Sequence, residues 1–169
     1  MSLWHDVRRD LGVLCDGSLL QRLNNRGFHA LVAYRLAHRL WIARIPLLGE
    51  LLTRVVQILY GVDIHWRARL APGITIFHGM GLVVAPGTEV GEECVLYHGV
   101  TIGAIDHHKS ARVPVIGKRV VIYTGAKVLG PITIGDGAVI GANAVVLCDV
   151  PPNSVAVGIP ARVLARATA

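Results

Sequence analysis

The feature that most constrains the fold of this chain is a period of six residues in its second half. An aliphatic side chain returns at every sixth position of this stretch: Ile116, Ile122, Val128, Ile134, Ile140 and Val146. A small or β-branched residue follows four places after each of the first five: Val120, Ala126, Ile132, Ala138 and Ala144. This period is neither the 3.6 residues of a helical turn nor the alternation of a strand. It is typical of a solenoid, in which each coil buries its apolar row by stacking on the next coil.

The same period extends upstream with two interruptions. Aliphatic residues keep the six-residue step from Ile64 to Leu82 and again from Val84 to Ile102, with a shift of two residues between the series. A polar segment, residues 103–115, then breaks the pattern. We expect this segment to project as a loop from one face of the solenoid, where repeat proteins often bind ligands. The alternative is a string of ordinary strands punctuated by glycine, which six consecutive matches disfavour.

The composition fits one folded domain. The chain has 169 residues, of which 53% are hydrophobic and 17% charged, so it can fill an apolar interior. Its net charge of +6 favours an anionic partner, such as a phosphate-bearing cofactor or a membrane surface. Nucleic acid is not expected, because long Lys/Arg runs and interleaved aromatic residues are missing from the sequence. Three scattered cysteines without CxxC spacing are typical of reduced thiols in a cytoplasmic protein.

The first part of the chain has helical patterning. Apolar residues follow helical spacing from Leu19 to about Ile42, with a break at Asn24–Gly27. We therefore assign residues 1–61 to an α-helical region, residues 62–164 to the solenoid and residues 165–169 to a tail.

A further helix begins at Ile45–Pro46 and ends near Gly61. The apolar run that contains it carries Glu50 and Arg54 and is too short to span a bilayer. We expect this helix to pack on protein, and a peripheral contact with a membrane surface is the alternative. No signal peptide is expected, because charged residues interrupt the start of the chain.

Three stretches resemble bacterial serine acetyltransferases, which are hexapeptide-repeat acyltransferases. They are the helical segment Gly27–Trp41, the sequence Gly-Val-Asp-Ile-His at 61–65 and the sequence Gly-Ile-Pro-Ala-Arg-Val at 158–163. The likeness covers the chain from about Val7 to Leu164. A shorter branch with this architecture is similar to O-acetyltransferases of exopolysaccharide synthesis, such as the colanic-acid type.

The resemblance has consequences for fold and assembly. It implies a mainly β fold, a left-handed parallel β-helix preceded by a short α-helical region. It also implies a homotrimer with active sites between neighbouring subunits. Whether two trimers pair into a hexamer stays open, because the long N-terminal part of the serine enzymes has no counterpart here.

Moving an acetyl group from a thioester to a hydroxyl needs a base for the hydroxyl proton, and histidine is the usual one. His78 lies beside Gly79 at the two-residue shift of the period, and Asp63 precedes it by fifteen residues. The resemblance implies that His78 is the general base and that Asp63 orients it. From the residues alone, a structural role for His78 is an equal alternative.

Acetyl-CoA is the co-substrate that the resemblance implies, although the sequence has no glycine-rich phosphate loop. In this family the coenzyme lies in a groove between two solenoids, against backbone groups at the turns and basic side chains. The residues predicted to bind it are Gly103, Ala104, Thr124, Gly125, Ala142, Lys118, Arg119 and Arg162. For the last three, an ordinary basic surface residue is an equal alternative. No metal is expected, because His98, His107 and His108 have no second cluster of ligands beside them.

The acceptor site departs from the serine enzymes. By the resemblance, these hold the amino acid with an aspartate before the catalytic histidine, an Arg-His pair in the loop and an N-terminal aspartate. Here Phe77 replaces the first, Arg112 is followed by Val113, and Asp10 stands for the third. We expect Asp10, Phe77, Arg112 and His98 to line the acceptor.

Phe77 decides our preference for the acceptor, because an aromatic ring cannot pair with the ammonium group of an amino acid. An aromatic surface suits the apolar face of a sugar ring. We therefore favour a sugar hydroxyl as the acceptor, with free L-serine as the alternative. A non-catalytic scaffold is a third hypothesis.

Overall fold

A computed structural model describes residues 2–14, 18–106 and 112–165 of the chain, with Leu19 and Gln21 described by their backbone alone. The described residues begin with four helices: α1 Leu3–Gly12, α2 Leu19–Leu23, α3 Arg26–Ile42 and α4 Pro46–Tyr60. The Ser2 side chain caps α1 by accepting from the amide of His5, and the Asn25 side chain caps α3 in the same way. Helix α4 begins on a proline and is capped after Tyr60 by Gly61, whose φ of 65° suits glycine.

The remainder of the chain forms short strands that wind into a solenoid. Every third strand joins the same sheet, so three sheets run along the coil. Sheet A contains β1 Asp63–Ile64, β4 Val83–Val84, β7 Thr101–Gly103, β10 Lys127–Leu129 and β13 Val145–Val146. Sheet B contains β2 Arg69–Leu70, β5 Glu89–Val90, β8 Val115–Ile116 and β11 Thr133–Ile134. Sheet C contains β3 Thr75–Phe77, β6 Val95–Tyr97, β9 Val121–Ile122, β12 Val139–Ile140, β14 Ser154–Val157 and β15 Arg162–Ala165.

The pairing of strands is parallel throughout, except that β15 turns back on β14. The mainly β solenoid behind a short helical region is therefore confirmed. The left hand of the coil stays a prediction.

The interior of the solenoid explains the six-residue period. All six residues of the first series, Ile116 to Val146, are at most 2% exposed, and the smaller residues four places later are buried as well. One side chain from each strand thus fills a narrow core, and the smaller series fits where the chain bends between strands. Each six-residue repeat therefore supplies two inward-facing positions, one in the aliphatic series and one in the smaller series.

One corner of the coil, between sheets C and A, is built from residues in the left-handed conformation. We call it the glycine corner: Gly61, Gly81, Gly99, Gly125 and Asn143, with φ between 56° and 74°. From Gly81 onwards, the amide of each member donates to a carbonyl of the preceding coil at 2.7–3.0 Å. A larger side chain would be strained at most of these positions, which is why glycine recurs there.

A buried ion pair fastens the helical region to the solenoid. Asp10 in α1 is 1% exposed and Arg35 in α3 is 5% exposed. Arg35 donates from Nε and Nη2 to the two carboxylate oxygens at 3.0 and 3.1 Å. The same carboxylate accepts from the amides of Gly73 and Ile74 at 2.8 and 3.1 Å. Arg35 also donates to the carbonyl of Leu70 and of the next residue, so this network spans two helices and the first coil.

Helix α4 has two apolar faces. One, with Gly49 and Val56, is buried. The opposite face is exposed and carries six aliphatic side chains that are 43–76% accessible: Leu47, Leu48, Leu51, Val55, Ile58 and Leu59. Within the described residues, no helix is both long and apolar enough to cross a membrane. The cytoplasmic location expected from the cysteines stays a prediction.

Candidate active site

His78 lies on the glycine corner of the first coil. Five residues separate β3 from β4 there, whereas three separate β6 from β7 in the next coil. These two additional residues are the shift seen in the period, and they bring His78 into the left-handed region with a φ of 63°. The side chain is exposed. The two additional residues therefore place His78 on the surface. At a regular inward position of the repeat its side chain would have been buried.

His78 and His98 face the same cavity from successive coils. The cavity has a volume of about 460 Å³ and is lined by Asn25, Arg26, Gly27, His78, Met80 and His98. The two imidazole rings meet edge to face, with centroids 5.8 Å apart. The Nδ1 atom of His98 is buried without a hydrogen-bond partner within the described part of the chain. Two imidazoles that line one cavity form an arrangement suited to proton transfer.

Asp63 points into a different cavity. Its Oδ2 atom accepts from Nε2 of Gln57 at 3.3 Å, and Arg54 donates in turn to Gln57. This second cavity, of about 380 Å³, is also lined by His65. Across the described residues, no hydrogen bond joins Asp63 to His78. The start and end of the first coil meet at this corner, where the amide of Asp63 donates to the carbonyl of Leu82 at 2.9 Å. The pairing of Asp63 with His78 stays a prediction that needs the Asp63 side chain to leave Gln57.

Burial shifts the titration of one group beside Asp63. Desolvation lowers the pKa of His65, and the positive charge of Arg67 lowers it further. The Nδ1 atom of His65 accepts from the amide of Arg67 at 3.0 Å, which a neutral imidazole can do. His65 is therefore a neutral structural residue at the entry to the solenoid.

Phe77 is part of a stack of three aromatic rings on sheet C. Its ring lies 5.1 Å from that of Tyr97, and Tyr97 lies 5.1 Å from Tyr123, with interplanar angles of 28° and 25°. One face of the Phe77 ring is thus already covered by a neighbour. This weakens the sequence argument that Phe77 offers a free aromatic face to a sugar.

Asp10 does not lie at the cavity of His78. Both of its carboxylate oxygens accept hydrogen bonds from Arg35, and one also accepts from two backbone amides of the turn before β3. These four hydrogen bonds match the roughly four lone-pair sites of a carboxylate. In this structure Asp10 therefore holds helix α1 and the first coil together, and its binding of the acceptor stays a prediction.

The residues predicted to bind the cofactor fall at separate places. Thr124, Gly125 and Ala142 lie at the glycine corner, on coils that follow His98. Gly103 and Ala104 lie across sheet A, in a cavity of about 710 Å³ that Trp41, Arg67 and Val113 also line. Arg112 is exposed beside this second group. A single chain therefore brings the first group near the histidines and leaves the second group at the other edge of the sheet.

The three basic residues predicted to meet phosphates lie elsewhere. Lys118 forms an ion pair with Glu92 at 3.6 Å, and the amide of Arg119 donates to the carbonyl of Glu92. Both lie between β8 and β9, at the corner between sheets B and C. Arg162 is exposed on β15. The structure thus gives Lys118 and Arg119 no place beside His78, because the three corners of a coil face different directions.

Sequence reasoning missed two residues near the site, Gln57 and Lys127. Gln57 could not be recognised from the sequence, because a polar residue on one side of an amphipathic helix such as α4 is common. Lys127 could have been found, because it is a charged residue inside the most regular part of the repeat. Its ammonium donates to the carbonyl of Gly99 and to Oγ1 of Thr101.

For the described residues, no group of three or more His, Cys, Asp or Glu side chains is arranged to hold a metal ion. The histidine pair of the cavity stands without acidic or thiolate neighbours there.

Comparison with known proteins decides the family. Residues 114–148 match the model of the bacterial transferase hexapeptide family, described as six repeats. The serine acetyltransferase of Helicobacter pylori is 45% identical over 140 residues, which cover 83% of this chain and 82% of that protein. The chain belongs to the serine acetyltransferase family. It is therefore an acyltransferase, as the resemblance predicted.

Solved serine acetyltransferases have the same fold. The soybean enzyme complexed with serine is 38% identical, with a TM-score of 0.92 over 96% of this chain and 70% of the soybean chain. The Brucella abortus serine acetyltransferase in complex with coenzyme A is 33% identical, with a TM-score of 0.92 over 98% of this chain and 68% of that one. One of these relatives was solved with serine and the other with coenzyme A, and they give no support to the sugar acceptor that we preferred from Phe77.

Proposed function

We propose that the protein is a serine O-acetyltransferase, which transfers the acetyl group of acetyl-CoA to the hydroxyl of L-serine. The observation that carries the proposal is the exposed His78 opposite His98 in one cavity, in a chain of this family. The soybean and Brucella relatives, complexed with serine and with coenzyme A, support the two substrates. As expected from the sequence, the proposed reaction needs neither a nucleic acid nor a metal.

His78 acts as the base of this reaction. Acetyl-CoA supplies an acetyl thioester when bound. His78 takes the proton of the acceptor hydroxyl as its oxygen bonds to the acetyl carbon, and returns that proton to the departing sulfur. Histidine suits both steps because its ordinary pKa lies close to neutral pH.

His98 is placed to stabilise the negative charge that develops on the acetyl oxygen. Its ring lies on the next coil and meets His78 edge to face. A ring N–H in a partly enclosed cavity is a stronger donor than water, because it is already oriented. Asp63 would orient His78 once its side chain leaves Gln57.

The serine itself needs two partners. Arg26 lines the cavity and can pair with the carboxylate of serine. The ammonium group of the serine needs an acidic partner, and the described residues that line this cavity include none. This supports an active site that a second copy of the chain completes.

We propose a homotrimer for the same reason, with the hexamer left open. Gly103 and Ala104 lie at one edge of sheet A, and Thr124 and Gly125 lie at the other. A groove between neighbouring copies would bring the loop edge of one against the glycine corner of the next. Sedimentation equilibrium measures the assembly, and a monomer that is fully active would contradict this proposal.

A subunit-mixing experiment tests the shared site directly. His78→Ala inactivates one edge, and Ala104→Trp blocks the groove at the other edge. Co-refolded mixtures of the two should regain activity, since some grooves then combine two intact edges. Mixtures as inactive as their parents would exclude a shared site.

The function is tested by release of free thiol from acetyl-CoA, with L-serine and a panel of sugars offered in parallel. We expect turnover with L-serine and a loss of roughly 10²–10⁴-fold in His78→Ala. His5→Ala, at an exposed position of α1, is the matched control and should keep full activity. Turnover with a sugar alone would overturn the serine assignment, and silence with every acceptor would favour a scaffold protein.

A further inference from the structure

Lys127 lies one coil beyond the turn that carries His98, with its side chain directed back to that turn. It is the first residue of β10, and its register partner in the preceding coil of sheet A is Thr101. Its ammonium donates to the carbonyl oxygen of Gly99 at 2.6 Å and to Oγ1 of Thr101 at 3.0 Å. The side chain is partly buried. These two contacts fix the position of the charge.

The Gly99 carbonyl belongs to the turn that carries His98. Gly99 follows His98 directly and has a φ of 70°, so the peptide between them sits at the tightest point of the corner. The carbonyl of His98 accepts from the amide of Gly125 at 3.0 Å. Both carbonyls of this two-residue turn are therefore held by the following coil, one by a backbone amide and the other by Lys127.

A cation does more here than a neutral donor would. A charged donor forms a hydrogen bond about twice as strong as a neutral one, so it holds a turn that has only three residues between strands. It also brings a positive charge to the corner where negative charge develops during acetyl transfer. In a partly buried place such a charge is screened less than on the surface.

We propose that Lys127 is a positioning residue of the transfer reaction, which holds the His98–Gly99 turn so that His98 stays opposite His78. This rests on the proposed function for its kinetic consequence. Its structural consequence, a change at the His98 ring, does not depend on any acceptor.

The test compares Lys127→Met, which keeps the length of the side chain, with Lys127→Arg, which keeps the charge. Arg9→Met is the matched control, because Arg9 is an exposed residue paired with Glu93. Each variant is measured in two ways. Imidazole resonances are recorded by NMR, with His98 assigned from His98→Gln, and kcat and KM are measured with acetyl-CoA. Far-UV circular dichroism checks the fold.

We expect Lys127→Met to shift or broaden the His98 resonance and to lower kcat by about tenfold or more, since small displacements of a catalytic group are costly. The KM for acetyl-CoA should change less than about twofold, and Lys127→Arg should recover most of the kcat. Arg9→Met should change neither readout.

Three results would overturn the proposal. An unchanged His98 resonance in folded Lys127→Met would remove its basis, whatever the activity. A raised KM for acetyl-CoA at constant kcat would make Lys127 a coenzyme contact. Equal losses in the Met and Arg variants, with lowered melting temperatures, would make it a purely structural residue. If Lys127→Met does not fold, Thr101→Val removes one of the two ammonium contacts, and an unmoved His98 resonance there contradicts the proposal equally.

Discussion

The buried pair of Asp10 and Arg35 makes a sharp prediction about stability. Replacing Asp10 by Ala removes the acceptor of four hydrogen bonds, two from Arg35 and two from the amides of Gly73 and Ile74. The guanidinium, 5% exposed, would then keep its charge with only carbonyl partners. A buried charge that loses its partner cannot be solvated without opening the contact between helix α1 and the first coil.

The expected cost follows from the geometry. Breaking a buried pair by removing one partner costs about 3–5 kcal/mol. For a domain of this size that corresponds to a fall in melting temperature of roughly 6–20 °C. Asp10→Asn keeps an oxygen for the two amides and loses only the charge, so its cost should be smaller. The double variant Asp10→Ala, Arg35→Met removes both charges and should be more stable than Asp10→Ala alone.

Urea unfolding followed by circular dichroism, at one fixed protein concentration, measures these differences, and the double-mutant cycle isolates the coupling. If Asp10 instead binds the acceptor, Asp10→Ala would keep its stability and raise only the KM for the acceptor. A loss below about 1 kcal/mol would refute the structural role, because that is the cost of an ordinary surface change. So would additive losses in the double variant.

Three further outcomes are expected. Gly27→Ala should destabilise the protein and lower activity, because a Cβ there would overlap the backbone of β3 beneath the His78 cavity. Gly12→Ala is the control: it has open space around it and should be neutral or slightly stabilising in thermal melts. Burial raises the pKa of Cys94 to about 11, so this thiol should resist alkylation at pH 8 while the exposed Cys148 reacts. Because the raised pKa favours the neutral thiol in the folded state, its contribution to stability is complete below the ordinary pKa of 9.0. That contribution falls as the pH rises from 9.0 towards 11. Ile58→Asp, on the exposed face of α4, should abolish sedimentation with anionic vesicles if that face makes the predicted membrane contact, and wild-type protein that does not sediment would remove this partner.

The six-residue period predicted the architecture because the buried positions of a solenoid recur at a fixed spacing in the sequence. Each two-residue strand contributes one buried side chain, so Ile122 and Ile140 identify two turns of the coil without any long-range information. The period also located His78, because an insertion of two residues in a regular repeat must bulge at a corner. Irregularity was as informative as regularity.

The same period could not assign residues to corners. Lys118 and Arg119, which the resemblance predicts as contacts of the cofactor's phosphates, lie between sheets B and C, next to Glu92, and this contact stays a prediction. A shift in phase earlier in the chain changes which corner a given position occupies, and the period alone does not carry that phase across the interruption at residues 103–115. Residues 107–111 of that loop, with His107 and His108, lie outside the described residues.

The sequence by itself determined a repeat of short strands, a buried aliphatic row and a histidine at the break in the repeat. It did so because these properties depend on neighbours within one coil. Only the tertiary structure decided that Asp10 is held by Arg35 and the first coil, that Asp63 faces Gln57, and that Lys127 reaches back to the turn of His98. These contacts join residues from different helices and coils, and hydrogen bonds of that kind depend on how the elements pack in space.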